Sequence, residues 1–310
     1  MFAMTQSVSE WIITEAEKMG FDACGIARAT ALGEESAHME QWLDDGHEGE
    51  MGYLTRNREK RYDPRLLAEG TKSIVTVLYN YLPKQTLGGE RFKIAKYAYG
   101  ADYHDVLKRK MRQLLEHIET QSGKLEGVRI FVDSAPVLDR AWAVRCGLGF
   151  IGKNTSLIHP KKGSFFFIGH LFLPLDLTET SQAMTNRCGR CTKCLDACPT
   201  GALESPFHID ARKCISYLTI EYKGTLEGRD HEQFKGWMYG CDICQDVCPY
   251  NRFALPHKEP EFEPSERLSA MREEDWKSLN PTDFEALFKR SAVQRAGYEG
   301  LKRNIDFIAG

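Results

Sequence analysis

The residues most able to do chemistry are cysteines in two short runs in the second half of the chain. The first run is CGRCTKCLDACP, residues 188–199, and the second is CDICQDVCP, residues 241–249. Three cysteines spaced three apart, followed by a fourth with proline behind it, are typical ligands of paired [4Fe–4S] clusters. Three such thiolates can hold three irons of one cube, and the proline turns the chain so that the fourth points to the other cube. The spacing predicts two [4Fe–4S] clusters.

The second run is one cysteine short, because position 238 is Met238. Cys214 is the only cysteine between the runs, so we assign it as the replacement ligand. One predicted cube is therefore held by Cys188, Cys191, Cys194 and Cys248, and the other by Cys198, Cys214, Cys241 and Cys244.

Zinc and disulfides are the alternatives for these cysteines. Zinc sites favour two CxxC pairs with a longer spacer, and eight cysteines in this order exceed the needs of one ion. Disulfides need an oxidising compartment, and the amino-terminal stretch carries Glu10, Glu15 and Glu17 where a signal peptide would be basic and then apolar. We therefore expect a cytoplasmic protein, in which Cys24 and Cys146 are small buried thiols.

Composition narrows the class further. The chain has 310 residues, of which 42% are hydrophobic and 27% charged, as in ordinary globular proteins of about two domains. No apolar run approaches the 18 residues of a membrane span, so no membrane association is expected. The net charge of −3 gives no general attraction to nucleic acid, and any RNA contact must come from a local basic patch.

Strands and helices alternate before the first cysteine run. Apolar, β-branched segments predict strands at 21–27, 72–82, 128–133 and 164–173. Helices are predicted from Ser7, which forms a capping box with Glu10, to Gly20, from about 34 to 54, and from Asp102 to Gly123. The fold class is thus α+β or α/β: residues 1–180 as a catalytic domain, 181–255 as a ferredoxin-like cluster domain, and 256–310 as a helical segment.

The amino-terminal domain is much larger than the clusters require. A two-cluster module needs only about 60 residues, yet about 180 precede it here. The simplest inference is that this domain holds the electron acceptor, which is a substrate or a second cofactor. Gly147, Gly149 and Gly152 do not fit a GxGxxG turn that opens a helix directly after a strand, so a nucleotide-binding fold is only weakly indicated.

The chain resembles the epoxyqueuosine reductases over nearly its whole length. The matching blocks, in order, are KYAYGADYH, VDSAPVLDRAWAVRCGLGFIGKNT, CGRCTKCLDACPTGAL, CISYLTIEYKG, YGCDICQDVCPYN and AGYEGLKRN. The resemblance implies reduction of the epoxide on a modified wobble base of tRNA to queuosine, with cobalamin as a further cofactor. Removing the epoxide oxygen takes two electrons and two protons, and the family couples a corrin to the two clusters for this purpose.

The resemblance also implies roles for individual residues. Asp133 is the last residue of the apolar strand VRIFVD. By itself it would be interpreted as a cap of the next turn, but the resemblance makes it the expected proton donor beside the corrin. To donate a proton near pH 7, its pKa would have to be raised by burial or by a neighbouring negative charge. Further corrin contacts are expected at Arg56, Lys96, Ser216, Asp242 and, as another candidate, Lys153.

His104 is expected to be a helix-start residue rather than a cobalt ligand. Some corrinoid proteins supply a histidine within a DxHxxG pattern, and position 107 is Leu107 where that pattern needs glycine. We therefore expect base-off cobalamin with no protein histidine on the metal. The short basic stretch at 56–61 is either a solvated face or an anion-binding loop.

The carboxyl-terminal segment is shorter than in many family members, which continue with helical repeats that help to hold tRNA. Residues 256–310 are thus a possible start of such HEAT-like repeats, and the protein is expected to be a monomer served by a low-potential electron donor. Predicted tRNA contacts are the basic residues Lys223, Lys289, Arg290, Arg295, Lys302 and Arg303. The rival activities are a corrinoid reductive dehalogenase, which is normally exported, and a pure electron carrier, which would contain no cobalt.

Overall fold

The computed structural model describes residues 7–180 and 184–310, so part of the predicted linker at 178–186 lies outside the described residues. A four-stranded antiparallel sheet is the centre of the amino-terminal half, with strand order β1-β2-β7-β4. Its strands are β1 (Ala23–Arg28), β2 (Ser73–Asn80), β7 (Phe166–Leu173) and β4 (Arg129–Phe131). The antiparallel order makes this half an α+β domain, one of the two predicted classes.

The shorter strands pair in two small sheets. They are β3 (Lys93–Ile94), β5 (Phe150–Ile151), β6 (Leu157–Ile158) and β8 (Trp237–Tyr239), with β3 parallel to β8 and β5 antiparallel to β6. The helices described are α1 (Val8–Lys18), α2 (Gly33–Asp44), α3 (Arg58–Tyr62), α4 (Pro64–Leu67), α5 (Tyr103–Ser122), α6 (Asp139–Arg145), α7 (Lys193–Ala197), α8 (Ile215–Ile220), α9 (Ile243–Asp246), α10 (Glu266–Ser269), α11 (Glu273–Lys277), α12 (Pro281–Phe288) and α13 (Gly297–Ala309).

The sheet is covered on both faces, which explains why β2 is almost uninterruptedly apolar. Val75 and Val77 pack on one face with α1 and α5, whereas Ile74 and Leu78 pack on the other face with Trp142 of α6. Successive strand residues point to opposite faces, so a strand buried on both sides needs apolar residues at every position. None of the described helices is long and apolar enough to cross a membrane.

Helix α5 has a well-defined start and end. The side chain of Asp102 accepts a hydrogen bond from the amide of His104, as expected of an N-cap, and Gly123 ends the helix with φ 82°. The backbone amide of Asp102 also donates to the carbonyl of Arg290. A Cβ on Gly100 would lie 2.3 Å from the carbonyl oxygen of Glu261, so glycine permits this close approach.

The cluster segment is joined to the amino-terminal half by backbone pairing. Strand β3 runs parallel to β8, and the amide of Ala95 donates to the carbonyl of Tyr239. The carboxyl-terminal helices pack against the same strands, with Leu301 and Ile305 of α13 buried beside Met238. The start of the second cysteine run, the amino-terminal half and the last helices therefore meet around residues 93–99.

Candidate active site

Asp133 lies just beyond strand β4 in a conformation that few non-glycine residues adopt. Its φ is 54°, in the left-handed region, which asparagine and aspartate tolerate best. The phenol of Tyr103 donates a 2.5 Å hydrogen bond to Oδ2 of Asp133. The Tyr103 ring in turn stacks on Phe167 of β7, with centroids 4.2 Å apart and an angle of 3° between the planes. The carboxylate is thus held by a rigid neighbour on the central sheet.

His104 lies between two carboxylates. Its Nδ1 is 2.7 Å from Oδ1 of Asp102, and its Nε2 is 3.6 Å from Oδ2 of Asp133. Burial alone would lower the pKa of the imidazole, but the two carboxylates outweigh it together and raise the pKa to about 9. At neutral pH the histidine is therefore a cation that holds a proton next to Asp133.

The pKa of Asp133 differs from the sequence-based expectation. Hydrogen bonds from His104 and Tyr103 stabilise its ionised form and hold the pKa below the usual value, although desolvation opposes them. The structure therefore does not show the raised pKa that direct proton donation near pH 7 would need. Asp133 is ionised at neutral pH, and the proton is held on His104 instead.

The Asp133 carboxylate lies on a solvent-open face that also carries Tyr53, Arg61 and Arg140, and we call this face the recess. Its side chain is 64% exposed, yet desolvation lowers the pKa of the neighbouring Arg140 guanidinium. Tyr53, an exposed aromatic residue, is close enough for the charges of Asp133 and Arg295 to influence its pKa. Aromatic and cationic side chains thus surround the carboxylate on a solvent-open side.

The basic stretch at 56–61 borders the same recess. Arg61 is buried, so the solvated-face interpretation does not hold for it. One of its terminal nitrogens donates to the carbonyl of Tyr53, while its buried Nε has no hydrogen-bond partner among residues 7–180 and 184–310. A buried cation with an unused donor is costly unless a ligand completes it. Arg56, the predicted corrin contact, is exposed nearby in the chain.

Two residues that the sequence named separately form one ion pair. Nζ of Lys96 lies 3.3 Å from Oδ2 of Asp242 and 2.6 Å from Oδ1 of Asp246. The backbone amide of Lys96 also donates to Asp242, whose pKa burial raises although the Lys96 charge opposes the shift. Lys96 is buried in the protein.

The first set of predicted cluster ligands surrounds a cavity of about 260 Å³. Its walls include Lys153, Arg252 and Phe253 as well as Cys188, Cys191, Cys194 and Cys248. Lys153 donates to the carbonyls of Gly189 and Cys191 at 2.8 and 2.9 Å, so it fixes the loop of the first cysteine run. A corrin contact by Lys153 stays a prediction.

The second set of predicted cluster ligands lies deeper in the protein than the first set. Burial strongly raises the pKa of Cys241 and of Cys244, and the thiols of Cys214 and Cys198 add to the shift at Cys244. Buried thiols at close range resist ionisation until a metal binds, because the metal displaces their protons. The donor chemistry, thiols in two groups of four, fits two iron–sulfur cubes.

A short path of side chains joins the second cysteine set to Asp133. Asp242 follows Cys241 in sequence and contacts Lys96. Tyr97, the residue after Lys96, packs edge-on against Tyr103, with ring centroids 6.1 Å apart. Tyr103 then bonds Asp133. Ser216, two residues after Cys214, is half-buried in α8.

The predicted RNA contacts are of three kinds: exposed residues, surface residues that already have partners, and Arg303, which is used inside the protein. Lys289 and Arg290 are exposed, and the Arg290 carbonyl bonds Asp102 at the edge of the recess. Arg295 pairs with Glu221, and Lys223 and Lys302 both donate to backbone carbonyls, Lys302 also pairing with Asp306.

Arg303 does not fit the predicted phosphate contact. Its guanidinium is used inside the protein, where it donates to the carbonyls of Leu218, Tyr222 and Gly224. These bonds tie α13 to the segment after α8, so Arg303 is a structural brace.

Tyr103, His104 and Arg140 are site residues that sequence reasoning missed or set aside. Taken locally, the Asp-Tyr-His triplet predicts only a helix start. The sequence feature that could have indicated a site here is the run of three polar, titratable side chains at the start of a helix that follows a buried strand.

An antiparallel α+β domain with a proton-holding group, joined to eight thiols in a double-cluster arrangement, defines an iron–sulfur oxidoreductase. Residues 187–251 match the family model "4Fe-4S double cluster binding domain", and residues 61–134 match "Epoxyqueuosine reductase QueG, DUF1730". An epoxyqueuosine reductase of Cellulophaga algicola is 48% identical over 97% of both chains. The chain belongs to the epoxyqueuosine reductase family, and the resemblance drawn from its motifs is confirmed.

Two solved structures are similar over 96% of this chain and 80% of theirs, each at 30% identity. One is an epoxyqueuosine reductase with an epoxyqueuosine-modified tRNA-Tyr stem loop, at a TM-score of 0.86. The other is the Bacillus subtilis enzyme with an aspartate-bearing catalytic loop swung out of the active site, at a TM-score of 0.85.

Proposed function

We propose that this protein reduces epoxyqueuosine in the wobble position of cytoplasmic tRNA to queuosine, with Asp133 as the proton donor to the departing oxygen. The observation that carries the proposal is the group formed by Tyr103, His104 and Asp133, connected to the second cysteine set through Lys96 and Asp242. Family membership supplies the reaction, and the relative solved with a modified stem loop supports tRNA as the substrate.

Cobalamin is the proposed second cofactor, held in the recess in front of Asp133. The unpartnered Nε of Arg61 and the exposed ring of Tyr53 suit a broad ligand with amide and phosphate acceptors. When bound, the corrin supplies a strongly nucleophilic reduced cobalt for opening the epoxide. Both nitrogens of His104 face carboxylates, so this histidine is already engaged and the corrin would be bound without it.

Residues of the chain hold and transfer the protons that the reaction consumes. Removal of the oxygen as water, leaving the alkene, consumes two electrons and two protons. His104, protonated at neutral pH, gives its proton to Asp133 across their contact at the same time as Asp133 gives a proton to the departing oxygen, which is a far stronger base than the carboxylate. Tyr103 keeps the Asp133 carboxylate in place during this transfer. The second proton enters by refilling His104 from solvent.

The test is anaerobic purification with metal analysis, then incubation with epoxide-bearing tRNA and a low-potential reductant. We expect about eight irons and bound cobalt per chain, and loss of one oxygen from the base by mass spectrometry. Asp133→Asn should keep the metals and lower the rate by about 10²- to 10⁴-fold, since it removes a general acid. Iron and sulfide without cobalt would indicate the rival electron carrier, and an unchanged base would refute the proposal.

A further inference from the structure

The rim around the first cysteine set carries an unpaired positive charge. Two cationic side chains, Lys153 and Arg252, line the cavity formed by that set, and three more, Arg187, Arg190 and Lys193, are sequence neighbours of its cysteines. In the same stretch of the first run, the one carboxylate before Pro199 is Asp196, which accepts a hydrogen bond from Thr192. The chain as a whole has a net charge of −3, so this rim is a local reversal of its overall sign.

The four arginine and lysine side chains other than Lys153 are exposed and available. Within residues 7–180 and 184–310, Arg187, Arg190, Lys193 and Arg252 form no ion pair with a carboxylate. Arg295, by contrast, is an exposed cation that is paired, with Glu221. Unpaired like charges repel each other, and a stable protein keeps them together chiefly where a partner of opposite charge will meet them.

An apolar contact lies within the same rim. Phe253 is 46% exposed, and the Arg252 guanidinium stacks over its ring at 4.5 Å. Leu255, two residues further, is 75% exposed. A small apolar centre inside a charged border is the usual composition of a transient protein docking site.

The position suits the entry of electrons. The second cysteine set is buried on the side of Asp242, Lys96 and the catalytic group, whereas the first set borders a cavity whose wall includes the exposed Arg252 and Phe253. Electrons that travel towards Asp133 therefore enter at the cube held by the first cysteine set, which we call the outer cube. A donor protein has to bring its own redox centre close to that cavity.

We infer that the rim of Arg187, Arg190, Lys193, Arg252 and Phe253 is the docking surface for an acidic one-electron carrier protein of the ferredoxin or flavodoxin kind. The inference rests on the proposed function only in that the clusters deliver electrons. The carrier loses one electron and the outer cube gains it, so each docking event transfers one electron and two are needed per turnover. Electrostatic attraction speeds the encounter and weakens as salt screens the charges.

The test uses the cluster-loaded protein and a plant-type [2Fe–2S] ferredoxin, an acidic low-potential donor. Stopped-flow bleaching of the clusters by the reduced ferredoxin is compared for the wild type and for the double variant Arg190→Glu and Lys193→Glu. The matched control is Lys72→Glu with Arg112→Glu, two exposed cations outside the cavity wall. We expect the second-order rate to fall at least 10-fold in the rim variant only, with a flatter dependence on salt.

Two further readouts separate a loss of docking from damage to the clusters. Reduction by the small cation radical of methyl viologen should be unimpaired in the rim variant, and its iron content unchanged, which shows that the clusters are intact. Calorimetric titration with oxidised ferredoxin should show weaker binding to the rim variant than to the control. Equal ferredoxin rates and affinities in both variants would overturn the inference.

The rim could instead bind RNA, and the same variants decide between the two. With methyl viologen as the donor, a raised KM for tRNA in the rim variant together with an unchanged ferredoxin rate would refute the docking inference. Failure of the proposed function is separate, because cluster bleaching requires neither cobalamin nor tRNA. A protein that accepts electrons from ferredoxin but leaves the epoxide intact would contradict only the proposed reaction.

Discussion

The ammonium of Lys96 lies 3.3 Å from the carboxylate of Asp242, the residue that follows the predicted cluster ligand Cys241. Both side chains are buried, and the backbone amide of Lys96 donates to the same carboxylate oxygen. One ion pair thus connects the second cysteine run to the segment that leads, through Tyr97, to Tyr103 and Asp133.

Replacing Lys96 with methionine should destabilise the protein and the second cluster. The change leaves Asp242 buried without its cation, which typically costs about 3–5 kcal/mol. We expect a lower midpoint of denaturant unfolding and a loss of iron from about eight to about four per chain. The measurements are chemical denaturation under anaerobic conditions and iron analysis.

Lys93→Met is the control, because Lys93 is only partly buried and forms no ion pair among the described residues. It should keep both the iron and the stability. The double change of Lys96→Met with Asp242→Leu should recover much of the stability, since it removes both charges. If Lys96→Met behaves like the control, the ion pair has no structural importance.

Removing Cys214 tests the ligand partition. Cys214→Ala should abolish one cube and leave the other, so that iron falls from about eight to about four while the dithionite-reduced protein keeps one cluster signal in electron paramagnetic resonance. Cys24→Ala is the control, because Cys24 is buried against the apolar core of β1. Retention of both cubes without Cys214 would contradict the assignment of this residue as the replacement ligand.

The pH dependence of the reaction should follow His104. Its pKa is raised to about 9, so the imidazolium is present below that pH and is lost as the pH rises through it. With viologen as the reductant, kcat/KM should be level near neutral pH and fall about tenfold per pH unit above 9. Because the pKa of His104 is higher in the folded protein than its ordinary value of 6.5, the stability contributed by the charged histidine should be complete below about pH 6.5, decline as the pH rises, and be lost above about pH 9.

Asp102→Asn gives a sharper form of this test. The amide oxygen can still cap α5, but the charge that helps to raise the pKa of His104 is removed. The break in the pH profile should therefore move to lower pH, whereas Asp105→Asn, an exposed change on the same helix, should leave it in place. A break that stays near pH 9 in Asp102→Asn would assign the break to another group.

His104→Ala should leave the cobalt spectrum unchanged.

Local sequence patterns predicted single features such as the cysteine groups and the start of α5, whereas long-range contacts form the candidate site. Cysteine spacing grouped the thiols, and Asp102 marked the start of α5, because both rules act over a few residues. The pairing of Lys96 with Asp242 joins positions 146 apart in sequence, and no local rule encodes it. The raised pKa of His104 likewise depends on Asp133, which a separate strand brings to the helix.

The carboxyl-terminal basic residues should differ in their effects on tRNA binding. Lys289→Glu with Arg290→Glu should weaken binding of a stem loop, and the slope of log affinity against log salt should become shallower by about two, because each phosphate contact contributes nearly one. These residues are exposed beside the recess, where the backbone of Arg290 bonds Asp102.

Arg303→Ala is the informative comparison, because that guanidinium braces α13 from inside. It should lower the thermal midpoint and leave the salt slope unchanged, whereas the exposed pair should do the reverse. Binding is measured by fluorescence anisotropy at several salt concentrations. Should Arg303→Ala flatten the slope while the midpoint stays constant, its side chain would be a phosphate contact after all.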